Sequence, residues 1–279
     1  MAADPPAPAG GTAGGSNLAA RVAVAIPGIA VAVGLVWLGG LAFAVALAVV
    51  AALGLYELYS LTAAARPLRW AGYLGTIATV LLAWGVEDTE RGIVLGLAVS
   101  LLLTAIAGLI LARREDITAR MASTLLGSVY LGLPFALLVA MRDLPHGAEA
   151  IVNVLVGVWV FDSASYFGGR LWGTRPIAPL TSPKKTVEGA VVGLVTATLA
   201  VWVAGLYMDW IGGWDSLVLG LAICPAAFLG DLFESMLKRD VGAKDSGRLL
   251  LAHGGVLDRF DALLFGAVAA YFATIWLVY

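Results

Sequence analysis

The stretch Ser216–Lys238, SLVLGLAICPAAFLGDLFESMLK, decides the fold. It is long enough to cross a bilayer, for which about 20 apolar residues suffice. It is apolar until its last third, where Asp231, Glu234, Ser235 and Lys238 fall at i, i+3, i+4 and i+7. That spacing is one stripe on one helix face. A carboxylate at mid-membrane costs about 2.5–3.5 kcal/mol on insertion scales and faces a polar cavity rather than lipid. The stretch therefore predicts a spanning helix with the wall of a polar site at one end. The bland alternative is that these acids only pair with Lys238 or Arg170 near the interface.

The rest of the chain carries the same apolar signal. Of its 279 residues, 61% are hydrophobic and 13% charged, against roughly 45–50% and 25% in a soluble domain. Spans are expected at 21–38, 41–63, 70–86, 92–112, 121–141, 151–169, 188–208, 216–238 and 260–278. This is an all-α, polytopic integral membrane protein with about nine transmembrane helices. Gly39-Gly40 supplies a tight turn between the first two, and no internal repeat is evident. The 34 glycines suit close helix packing. Spacings such as Gly189-x-x-x-Gly193 would also allow a homodimer. Residues 1–17, rich in Ala, Gly and Pro, read as a disordered tail. The tail is not basic and leads into a full span, so no signal peptide is expected. Residues 18–279 form one transmembrane catalytic domain, with N-terminal helices over 21–141 and catalytic helices and loops over 151–278. The single cysteine, Cys224, has no disulfide partner and reads as a small packing residue. A net charge of −2 identifies no partner, and no nucleic-acid partner is expected.

The basic residues give an orientation. With the N-terminus in the cytoplasm and alternating spans, all but two of the 17 Lys and Arg residues fall on the cytoplasmic side. The two exceptions are Arg91 and Arg142. This asymmetry follows the positive-inside rule and puts the C-terminus outside. Glu57, Asp162, Asp231 and Glu234 then lie toward the inner ends of their helices, so the cavity opens to the cytoplasm. Asp162, Ser165, Tyr166 and Gly169 repeat the i, i+3, i+4, i+7 spacing and suggest a second wall of the same site. Glu57 either lines that site or only supports it.

Two basic loops differ from the rest. Thr181-Ser182-Pro183-Lys184-Lys185-Thr186 reads as a helix start, with Ser182 as N-cap and Pro183 at the first helical position. Lys184 and Lys185 would then stand beside exposed backbone N–H groups, an arrangement that attracts phosphate. A topology signal or a lipid-headgroup contact is the plainer reading of that loop. The second loop carries Ser235, Lys238, Arg239, Lys244, Asp245, Arg248, His253, Gly254, Gly255, Asp258, Arg259 and Asp261. A topology signal needs bases only. Acids among bases suggest a cation and anionic groups held together. Mg²⁺ binds through one or two carboxylates plus substrate phosphates, and Asp231, Asp245, Asp258 and Asp261 are candidate ligands.

The segment Ser235–Asp261 resembles the signature of phosphatidate cytidylyltransferases, also called CDP-diacylglycerol synthases. The signature reads S-x-x-K-R, four residues, K-D-x-G, a short spacer, then H-G-G-x-x-D-R-x-D. Every fixed position is present, with Leu251-Ala252 where Pro-Gly is expected. Asp162 with Tyr166, and Ser182-Pro183-Lys184-Lys185-Thr186, look like the same family. The specific motifs cover roughly 160–190 and 230–262; the earlier helices are similar only in being apolar.

The resemblance implies transfer of CMP from CTP to phosphatidic acid, giving CDP-diacylglycerol and pyrophosphate. It implies metal-binding acids at Asp231 and Asp258, with Mg²⁺ and, as a further candidate, a monovalent cation such as K⁺. Lys238, Arg239, Lys244 and Arg259 would hold phosphates, with Asp245 and Asp261 as supporting or additional ligands and His253 as a phosphate contact or proton carrier. Asp162, Tyr166, Ser182, Lys184, Lys185, Thr186, Glu234 and Ser235 would serve substrate binding. A bacterial inner membrane, with the site facing the cytoplasm, is the expected location. Competing readings are a cytidylyltransferase for another lipid phosphate, such as an ether lipid, and a cation- or proton-coupled transporter. Against a transporter stands the concentration of charge in one loop. CDP-alcohol phosphatidyltransferases are disfavoured because their D-G-x-x-A-R motif is missing.

Overall fold

The computed structural model describes residues 27–111, 115–247, 249 and 254–279. Its helices are α1 Pro27–Leu38, α2 Gly40–Leu61, α3 Arg69–Gly85, α4 Thr89–Ile110 and α5 Ile117–Asp143. They continue with α6 Gly147–Trp172, α7 Val187–Gly205, α8 Gly213–Asp240 and α9 Leu257–Val278. Among the described residues seven helices, α2 and α4–α9, are long and apolar enough to cross a membrane. The chain is therefore an all-α polytopic membrane protein. Helix α3 has 17 residues, and the expected disordered tail and the start of the first span lie outside the described residues.

Helix α5 sits at the centre. Its most apolar stretch is 78% buried, against 28% for α4 and α7. The latter two present apolar residues such as Leu109 and Val191 outward, the surface expected against lipid. Pro134 shapes α5. It has no N–H to give the Tyr130 carbonyl, and its ring crowds that carbonyl, so the helix widens into a π turn over Ser128–Gly132. The core joins Leu55 and Leu58 of α2, Phe135 and Met141 of α5, Ile151 and Val154 of α6, and Leu257 and Leu264 of α9. Cys224 is buried against Phe161 and Ala197, as a packing residue.

The turn between α1 and α2 uses Gly39 and Gly40, both at positive φ, 63° and 55°. Arg142 closes it. Its Nε donates to the Val36 carbonyl at 2.5 Å and its Nη2 to the Trp37 carbonyl at 3.1 Å. These are terminal carbonyls of α1 that have no partner within the helix. At the other exception to the charge asymmetry, Arg91 pairs with Asp88, the N-cap of α4.

The loop after α6 corrects one expectation. Ser182 is not an N-cap and Pro183 does not open a helix. Residues Ser182–Thr186 form a strand, β2, antiparallel to β1 Pro176–Ala178, with Ala178 opposite Ser182 and Pro176 opposite Thr186. The helix begins at Val187, and Thr186 is the N-cap, its hydroxyl accepting the Gly189 N–H at 3.2 Å. The physical reason lies one residue further on. The Glu188 carboxylate accepts the N–H groups of Thr174 and Arg175 at 3.0 and 3.2 Å and the Thr174 hydroxyl at 2.6 Å. These bonds pull the chain after α6 back against the start of α7 and hold it as a hairpin. The Gly189–Gly193 pair is used inside the chain. A Cβ at Gly193 would strike the Ser165 hydroxyl, and one at Gly189 the Ser165 carbonyl. Within the chain the spacing serves the packing of α7 on α6.

Candidate active site

The C-terminal ends of α6 and α8 and the N-terminal ends of α7 and α9 surround one cavity of about 940 Å³. The α6 wall is Asp162, Ser165, Tyr166 and Gly169, the stripe that helical spacing predicts, with Phe161 and Arg170 beside it. Strand β2 contributes Ser182, Lys184, Lys185 and Thr186. The two lysines thus face the cavity from a strand rather than from a helix start. Helix α8 supplies Phe228, Asp231 and Lys238. The following loop adds Asp245, and α9 adds Asp258, Arg259 and Asp261.

Ion pairs cross these elements. Lys185 pairs with Asp231, joining β2 to α8, and its ammonium lies 5.8 Å from the centre of the Phe228 ring. Lys238 lies between two acids. It pairs with Glu234 one turn earlier and with Asp258 of α9 at 2.7 Å. Glu234 is fully buried, and a buried carboxylate is tolerated only with such a partner. Asp258 also accepts the Ser246 N–H at 3.1 Å and the Gly255 N–H at 2.9 Å. One carboxylate thus fixes both ends of the loop between α8 and α9.

Not every expected residue lines the cavity. Glu234 lies behind the wall, and Ser235 and the exposed Lys244 stand off it. Arg239 is exposed and structural in its contacts: it donates to the Thr181 and Ala243 carbonyls, each at 3.1 Å, tying the hairpin to the loop. His253, Arg248 and the Leu251-Ala252 departure lie outside the described residues. The sequence points to Arg170 only as an interface partner of the acids, and to Phe228 and Glu188 not at all. Arg170 continues the Asp162–Tyr166 stripe by one more turn, and Phe228 stands three residues before Asp231. Glu188 carried the weakest signal, an acid in the first turn of a helix.

Among the described residues, five acids and five bases line the cavity: Asp162, Asp231, Asp245, Asp258 and Asp261 against Arg170, Lys184, Lys185, Lys238 and Arg259. Such a balance does not by itself neutralise a polyphosphate. Among the described residues, no group of three or more His, Cys, Asp or Glu side chains is placed to hold a metal ion unaided. The donors still fit Mg²⁺ shared with a substrate. They are hard oxygens, and Asp162, Asp231 and Asp261 are electrostatic neighbours. Mg²⁺ takes one or two carboxylates and completes its shell with water and phosphate. The Asp231 side chain is 28% exposed and held by one lysine. Asp258 is committed to Lys238 and two backbone N–H groups. Asp231 therefore fits a metal-ligand role with less rearrangement than Asp258.

Residues 19–277 match the sequence profile described as the cytidylyltransferase family. The chain is 35% identical over 262 residues to the phosphatidate cytidylyltransferase of Brucella suis biovar 1, covering 92% of this chain and 93% of that protein. It is 43% identical over 163 residues to the phosphatidate cytidylyltransferase of Helicobacter pylori. That match covers 57% of this chain and 60% of the Helicobacter protein. The protein of the same description from Staphylococcus saprophyticus is 39% identical over 145 residues, 52% of this chain and 55% of its own. The profile match takes in the first five helices as well as the motif-bearing loops. The chain belongs to the cytidylyltransferase family.

Proposed function

We infer that the protein transfers the CMP group of CTP to phosphatidic acid, forming CDP-diacylglycerol and pyrophosphate in phospholipid synthesis. The observation that carries this reading is the cavity itself. Asp231, Lys238, Asp245, Asp258, Arg259 and Asp261 of the signature segment and its helix meet Asp162, Lys184 and Lys185 there, at the end of a bundle of membrane-spanning helices. A lipid phosphate and a soluble nucleotide can meet only at such a boundary.

A phosphate oxygen of phosphatidic acid attacks the α-phosphorus of CTP. The new P–O bond forms as the bond to the β-phosphate bridging oxygen breaks, and pyrophosphate leaves with that electron pair. Such chemistry rests on positioning and charge neutralisation. Lys184, Lys185, Lys238 and Arg259 face the cavity and serve the phosphates. Asp231, with Asp258, Asp261 and Asp162 as the other candidate carboxylates, would hold Mg²⁺, which would supply positive charge at the phosphates. A monovalent cation such as K⁺ is a second candidate for the same carboxylates. Tyr166, Ser182, Thr186 and Asp245 also line the cavity and would complete the substrate contacts, with His253 as a further phosphate contact or proton carrier.

The orientation follows from the basic residues: N-terminus in the cytoplasm, nine spans including α1 and α3, C-terminus outside, and the cavity open to the cytoplasm, where CTP is found. Residues 18–279 then act as one catalytic unit in a bacterial inner membrane. The test is direct. Purified protein receives CTP, phosphatidic acid and Mg²⁺, and CDP-lipid and pyrophosphate are measured. The two products are expected in equal amounts. No turnover with any lipid phosphate overturns the reading, and turnover only with an ether-lipid phosphate reassigns the substrate.

A further inference from the structure

Among the described residues, those lining the cavity come from position 161 onward, yet one side chain of α2 reaches the loop that contributes Asp245 and Gly247 to it. Glu57 is 1% exposed. Its Oε2 accepts the Ser246 hydroxyl at 3.1 Å and the Leu257 N–H at 2.8 Å. Leu257 opens α9, whose own N-cap residue, Val256, offers no side-chain cap. Glu57 supplies that cap from another part of the chain. Two glycines make room for it. A Cβ at Gly247 would run into Glu57 Oε1, and one at Gly255 would strike the Ser246 hydroxyl and lie 2.5 Å from Glu57 Oε2.

Ser246 and Gly255 are also the two residues whose backbone N–H groups hold Asp258. The loop is thus gripped from two sides. Glu57 holds the Ser246 side chain and the first amide of α9, while Asp258 holds the backbone and, beyond it, Lys238. We propose that Glu57 is a positioning residue for cytidylyl transfer, setting the place of Asp258 and Lys238 at the cavity wall through Ser246 and Leu257. The role rests on the transfer reading above and extends it to α2, which has no side chain in the cavity.

The test compares Glu57→Ala, Glu57→Gln, Ser246→Ala and the Glu57→Ala/Ser246→Ala double variant with the parent protein in one detergent. It reads kcat, KM for CTP, the thermal midpoint and amide hydrogen exchange across 241–257. Glu57→Ala is expected to lower kcat by about 10–100-fold, the range for groups that orient a ligand from behind. KM for CTP should stay near the parent value, because the loss is in transition-state geometry. Glu57→Gln keeps an acceptor for both donors and should restore most of kcat. Ser246→Ala should give a smaller loss, and the double variant no more than Glu57→Ala alone. Exchange at the Ser246 and Leu257 amides should rise in Glu57→Ala. The proposal fails if Glu57→Ala keeps its kcat, or if Glu57→Gln loses as much kcat and thermal stability as Glu57→Ala. A parent protein without turnover overturns the underlying transfer reading instead, while the exchange result still reports whether Glu57 fixes the loop.

Discussion

The contact between α3 and α4 and the loop between α8 and α9 both depend on glycine, with different results. A Cβ at Gly96 would strike the backbone of Thr79, and one at Gly255 would strike Ser246 and Glu57. In the first place the missing side chain lets two helix backbones touch. Lipid gives apolar helices no reason to associate, so contact of this kind is what holds them. The hydroxyls of Thr76, Ser100 and Thr104 are buried there without a hydrogen-bond partner among the described residues. In the second place the missing side chain lets a buried carboxylate reach backbone N–H groups and order a charged loop. One region spends its small residues on shape, the other on placing charge. Substitutions should therefore separate stability from turnover.

The largest effect is expected at Asp258, which fixes both ends of the loop and faces the cavity. Asp258→Ala should cut turnover by about 100-fold or more while the protein still inserts in the membrane, read by CDP-lipid formation and membrane fractionation. Lys238→Ala comes next. It leaves Glu234 buried without its partner, which costs about 3–5 kcal/mol. The thermal midpoint should fall together with activity, and a midpoint unchanged from the parent would break the assigned network. The glycine pair sharpens the comparison. Gly255→Ala should lower kcat by about 10-fold with a modest loss of stability. Gly96→Ala should cost about 1–3 kcal/mol by overpacking and leave kcat of the folded fraction intact. The smallest effect is expected far from the cavity: Arg142→Ala removes the closure of the α1–α2 turn, costs about 1 kcal/mol, and leaves CTP kinetics unchanged.

The parts of this fold set by the bilayer were legible in the sequence. A span must be apolar for about 20 residues, so the limits of α2 and α4–α9 were close to those observed. The α6 stripe was legible because helix periodicity places Asp162, Ser165, Tyr166 and Gly169 together without any tertiary information. The parts set by long-range partners were hidden. Glu57 bonds residues 189 and 200 positions away, and nothing local to α2 indicates them. The Ser182–Thr186 strand was hidden for a related reason. Ser-Pro is a good helix start in isolation, but Glu188 reaches back to Thr174 and Arg175 and makes a hairpin of it. The loop signature of Ser235–Asp261 placed the charged residues in one segment; it did not reveal that Arg239 turns outward to hold Thr181 and Ala243.

On the proposed function, the charged cavity, and Asp231 within it, carries the transfer. The most direct measurement is pyrophosphate release from CTP and phosphatidic acid by purified Asp231→Ala beside the parent protein, at matched Mg²⁺ and matched thermal stability. Release is expected to fall below about one-hundredth of the parent rate. A folded Asp231→Ala protein that releases pyrophosphate at close to the parent rate would contradict that assignment.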